Sequence, residues 1–146
     1  MTEFVIDPNE TWEYVRPCDR DEAGKAKSGC PIFVFGHLTR IVRKHIENNT
    51  VEYHTNANGP NAKATGVVKL GDRYELATKY GLKDVVIDGQ RAPWFKLKRH
   101  AAYSTDMVED TTLDVLRNLI NELGAEAWEK AHVTKEQEEN FEQPAV

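Results

Sequence analysis

The pattern that most restricts the fold lies near the end of the chain. From Thr112 to Leu123, Leu113, Leu116, Leu119, Ile120 and Leu123 recur at helical spacing and make one apolar stripe. A stripe of that width needs a facing layer to bury it, so the rest of the chain must supply a core. Thr111 or Thr112 is expected to cap the start through its hydroxyl, and Gly124 stands where a C-terminal cap belongs. A second short helix, Ala125 to Ala131, carries Trp128, and Thr134 with Gln137 resembles a capping box.

The facing layer reads as strands. TWEYVR (11–16) alternates Trp12 and Tyr14 with Glu13 and Val15, and Pro17 stops it. The polar stretch Asp19 to Gly29 reads as an exposed loop that orders on binding. Ile32, Phe33, Val34 and Phe35 then form a buried strand, antiparallel to the first. After Gly36 the period lengthens: Leu38, Ile41, Val42, His45 and Ile46 line an amphipathic helix ending at Asn48-Asn49. TVEYHT and ATGVVKL flank NANGPN and predict a β-hairpin. Tyr74 to Val86 admits a helix that Gly81 interrupts, Asp88-Gly89 is a turn, and Trp94-Phe95 opens another strand. The expected class is α+β: a small antiparallel sheet with a β-hairpin, two to four helices and a C-terminal helix pair. Residues 1–133 make one domain and 134–146 a polar, flexible tail.

Composition narrows function mostly by exclusion. With 146 residues, 40% of them hydrophobic, the chain can bury a core without a staple. A net charge of −5 argues against a DNA-coating role, and no apolar run reaches bilayer length. The opening residues MTEFVIDP have no basic segment leading into an apolar one, so no signal peptide is expected. Cys18 and Cys30 are too few for a disulfide scaffold, and reduced thiols in a cytosolic protein are the default.

Four groupings bear on chemistry. His-x-Thr occurs twice, as His37-Leu-Thr39 and His132-Val-Thr134. Two such motifs on strands facing a cleft characterise the two-histidine phosphoesterases, where histidines move protons and hydroxyls hold phosphate. The second copy sits in a helix end and tail, not in a strand. Cys18, Cys30, His37, His45 and His54 lack the close pairing of zinc ligands, so no metal or cofactor is expected. Trp94, Phe95, Lys96, Lys98, Arg99 and His100 interleave aromatics with cations as single-strand nucleic-acid binders do. Aromatics turned to a core and lysines to water explain them more simply. Asp106, Glu109, Asp110 and Asp114 gather near a helix start, where they complement its dipole.

The order of segments resembles a known group. IDPNETWEYVRPCDRD, then YGLKDVVIDGQRAPWFKLKR, then LDVLRNLINELGAEAWEKAHVTKEQEENF together cover about half of the chain. They resemble small proteins encoded among the structural genes of tailed bacteriophages, in which a D-P-x-E-T-[FW]-E-Y-V start and a closing helix pair with an acidic end before Asn-Phe recur. The resemblance implies a non-enzymatic role in virion assembly, as a tail assembly chaperone or a component of the tail or head–tail region. It further implies tape-measure or tail-tube subunits as partners, or further copies of the chain, with no nucleic acid or membrane. The expected place is the host cytoplasm during assembly, or the virion. Leu113, Leu116, Ile120 and Trp128, with Trp94 and Phe95 second, are the expected partner-contact residues.

Overall fold

A computed structural model describes residues 7–55 and 64–130. Strand β1 (Thr11–Tyr14) pairs antiparallel with β2 (Pro31–Gly36), setting Trp12 beside Phe35 and Tyr14 beside Phe33. Helix α1 (Arg40–Thr50) follows, with Thr39 as its N-cap accepting the Val42 N–H at 3.3 Å. It runs without a loop into β3 (Val51–Thr55), which pairs antiparallel with β4 (Ala64–Val68). NANGPN, the predicted turn of this hairpin, lies outside the described residues.

Helix α2 (Leu70–Gly81) leads directly into β5 (Leu82–Ile87), so Gly81 ends the helix as the sequence suggests. β5 pairs with β2, and at Val34/Phe35 the register slips around Lys83. The Lys83 stem lies over Gly36, 3.2 Å from where a Cβ would stand, and its ammonium donates to the Tyr80 carbonyl at 2.9 Å. Asp88 and Gly89, at φ 51° and 81°, turn the chain into the short β6 (Gln90–Arg91), completing an antiparallel sheet in the order β1-β2-β5-β6. β7 (Leu97–His100) and β8 (Thr105–Val108) form a second small pair. Helices α3 (Asp110–Val115) and α4 (Ile120–Lys130) close the described fold.

The core lies between the main sheet and the helices. Phe33 and Phe35 of β2, Leu82 and Val85 of β5, and Leu123 and Ala127 of α4 are all fully buried. A second cluster joins Leu38, Val42 and Ile46 to Tyr80 across α1 and α2. Three buried threonines satisfy their hydroxyls locally. Thr50 donates to the Ile46 carbonyl at 2.6 Å, and Thr78 to that of Tyr74 at 2.8 Å. Thr112 donates to the Trp94 carbonyl at 2.9 Å and accepts the Lys96 N–H at 3.0 Å.

The α+β class and the C-terminal helix pair hold, but several local expectations do not. The leucine stripe is not one helix: a 3-10 turn at Arg117–Leu119 separates α3 from α4. On both sides of the break the apolar residues reach the same core: Leu113, Leu116, Leu123 and Ala127 all belong to the cluster that holds Phe33 and Leu82, and α4 also packs along α2. Gly124 is no cap. It lies inside α4, where a Cβ would overlap the backbone of Tyr74 on α2. Neither Thr111 nor Thr112 caps α3; Glu109 is the N-cap residue, without a side-chain bond, and Thr112 holds the 94–96 turn instead. Trp94 and Phe95 belong to that turn, and β7 begins only at Leu97. The Asp19–Gly29 stretch is exposed but carries its own order. Asp21 Oδ1 accepts from the Ala23 and Lys25 N–H groups, both at 2.9 Å, and Gly29 N–H donates to Asp88 at 2.9 Å.

Candidate functional site

The expected contact residues sit mostly inside the fold. Leu113, Leu116 and Phe95 are core residues, while Ile120, Trp128 and Trp94 are half-buried and pack against the clusters. Trp128 lies beneath two guanidinium groups, Arg73 at 4.8 Å and Arg43 at 5.9 Å from its ring centre. The surface of α4 toward β1 is engaged as well. Tyr14 Oη donates to Glu122 at 2.8 Å, Arg16 pairs with the same carboxylate at 3.2 Å, and Trp12 Nε1 donates to Glu126 at 3.2 Å. Burial and the Glu122 partner push the Tyr14 phenol up to about 12.

The basic and aromatic run behaves as the simpler explanation has it. Phe95 is buried, Lys96, Lys98 and Arg99 are exposed, and Arg99 pairs with Asp106 at 3.6 Å. Asp110 pairs with Lys79 at 3.6 Å and stands in the first turn of α3. Cys18 and Cys30 are free thiols, and no group of three or more metal-binding side chains occurs among the described residues.

His37 and Thr39 come together at the start of α1, beyond the end of β2 and not on it. They line a cleft of about 710 Å³ with Pro8, Leu38, Arg40 and Arg43. The His37 ring packs on Trp12, and its Nε2 lies 3.9 Å from the Glu10 carboxylate, beyond hydrogen-bond range. Neither ring nitrogen has a hydrogen-bond partner, and both are sealed from solvent. The Thr39 hydroxyl is committed to the helix cap. His132 and Thr134, the other copy of the motif, lie outside the described residues, as does the 134–146 tail.

The surface that sequence reasoning did not single out is the β3–β4 hairpin. Among the described residues its two strands form a sheet of their own, and none of its side chains belongs to either apolar cluster. Tyr53 is 75% exposed, and Val67, Val68 and the adjoining Leu70 are 45%, 41% and 53% exposed. Val51 pairs with Val68 and Tyr53 with Gly66, which puts these residues on one face. Gly66 makes room for the Tyr53 ring, whose Cε1 would touch a Cβ there at 3.4 Å. Lys69 and Glu52 form an ion pair at the base. A signal for this surface was present: Val67 and Val68 are adjacent in a strand, so they must face opposite sides. Among the described residues neither apolar cluster reaches the hairpin, so it does not bury both.

No helix among the described residues is long and apolar enough to cross a membrane. Compared with models of known protein families, with curated proteins and with solved structures, the chain matches none.

Proposed function

We propose that the chain is a non-catalytic assembly protein of tailed bacteriophages, acting in the host cytoplasm as a tail assembly chaperone or joining the tail as a structural component. The observation that carries this reading is the β3–β4 hairpin, an arm with Tyr53, Val67 and Val68 exposed beside an otherwise well-packed core. Exposed apolar side chains and an open strand edge are a liability for a protein that works alone and an asset for one that docks. An extended segment of another chain, whether a client's or a second copy's, that adds to such an edge gains main-chain hydrogen bonds, with apolar side chains seated beside them. The resemblance of the opening and closing segments to phage morphogenesis proteins supports the same reading. What it implies as partners is tape-measure or tail-tube subunits, or further copies of the chain.

The test is the composition of purified virions, together with capture of partners from infected cells by tagged full-length chain. Recovery of tape-measure or tail-tube subunits, or many copies of the chain in the particle, is the expected result. Its presence in the particle makes it a structural component; its absence, with a captured client, makes it a chaperone. Neither a client nor a place in the virion would overturn the assembly role.

A further inference from the structure

The hairpin has an edge whose chemistry specifies an occupant. The Lys69 N–H donates to the Thr50 carbonyl at 2.7 Å, at the base of the β3–β4 ladder. Backbone groups of successive strand residues point to opposite sides. Val67 and Thr65 therefore share the side of Lys69 and face β3, whereas the N–H and C=O groups of Gly66 and Val68 point away from it, to an edge on which no strand pairs among the described residues. The sequence of β4 (ATGVV) holds no charge and no proline, so it lacks the usual guards against edge pairing. Its neighbour β3 carries Glu52.

We infer that β4 pairs antiparallel with β4 of a second copy about a two-fold axis through Gly66. The inference rests on the reading of the hairpin as a contact surface. Gly66 then opposes Gly66 of the second copy, Val68 opposes its Ala64, and each facing pair exchanges two main-chain hydrogen bonds. Thr65 opposes Val67 of the second copy, so no charges meet along the seam. The two glycines leave room on one face for the Tyr53 rings of both copies. Two copies of a chain with a net charge of −5 repel overall, and the uncharged β4 edge is a place where they can meet without adding like charges to the contact. Pairing also turns two two-stranded ribbons, each marginal alone, into one four-stranded sheet.

Sedimentation velocity of the full chain over a concentration series tests the pairing, with fold checked by circular dichroism. Wild type is expected to dimerise. Thr65→Glu with Val67→Glu places like charges opposite one another across the axis, and the dimer should weaken at least about tenfold. Thr65→Lys with Val67→Lys should do the same, and an equimolar mixture of the two variants should recover a heterodimer. Amide exchange on wild type supplies a second reading that needs no variant: Gly66 and Val68 should gain protection as concentration rises. A monomer at every concentration overturns the pairing, and so does a dimer indifferent to both charge changes. A monomer that still captures a tail subunit loses the pairing and keeps the assembly role. A dimer of this geometry with neither client nor place in the virion does the reverse.

Discussion

Thr112 joins two elements with one hydroxyl, accepting the Lys96 N–H and donating to the Trp94 carbonyl from a fully buried position. Replacing it with valine keeps the shape and strands both backbone groups, which should cost about 1–3 kcal/mol in urea unfolding. Serine keeps the hydroxyl and should lose less. A valine variant as stable as wild type would mean that water serves the 94–96 turn instead. Tyr14 makes a pH-dependent prediction. Partial burial first, then the Glu122 bond and charge, raises its phenol from 10.0 to about 12. The folded state therefore holds this proton more tightly than the unfolded state does. The resulting stability is complete below about pH 10 and is lost as pH climbs toward about 12. Across that window the melting temperature of wild type should fall more steeply than that of Tyr14→Phe. Parallel curves would show that the contact with Glu122 is not maintained in solution.

At the scale of elements, Gly124 shows how a residue read from local pattern takes its meaning from packing. A glycine after an apolar stripe reads as a cap, since caps are where glycine is commonest. Inside α4 it instead lets two helices meet backbone to backbone, with Tyr74 occupying the space of its missing side chain. Glycine to alanine within a helix ordinarily gains up to about 1 kcal/mol. Here overlap with main chain should outweigh that gain, leaving Gly124→Ala about 1–3 kcal/mol less stable by thermal or denaturant unfolding. A stabilised variant would show that α2 and α4 do not approach this closely. The strands β1 and β2, helix α1 and the hairpin were legible because each carries its own period and its own stop signal. The α3–α4 break was not, since Leu113 through Leu123 fit one helical stripe and no glycine or proline between them marks a stop. Trp94 and Phe95 read as strand for a similar reason: β propensity does not distinguish a strand from the buried turn before it.

At the scale of the whole molecule, the division of labour is between a packed body and an exposed arm. The residues first expected to meet a partner, Leu113, Leu116 and Phe95, are spent on the core, and among the described residues the exposed large apolar side chains gather at Tyr53, Val67, Val68 and Leu70, with Ile41 on α1 and Val115 on α3 standing singly. Sequence pattern finds apolar stripes readily but does not say which of them another layer will cover. The adjacent valines of β4 were the available clue. The cleft at His37 is the competing site, because it gathers a histidine and a threonine hydroxyl near the basic start of α1. Complementation separates arm from cleft most directly. On the proposed assembly reading, a phage lacking the gene would be supplied in trans with wild type, with the Thr65→Glu and Val67→Glu variant, or with His37→Ala, and infectious particles would be counted. Wild type and His37→Ala are predicted to restore particles while the folded hairpin variant does not. Restoration by the hairpin variant together with failure of His37→Ala would contradict the account and move the function to the cleft.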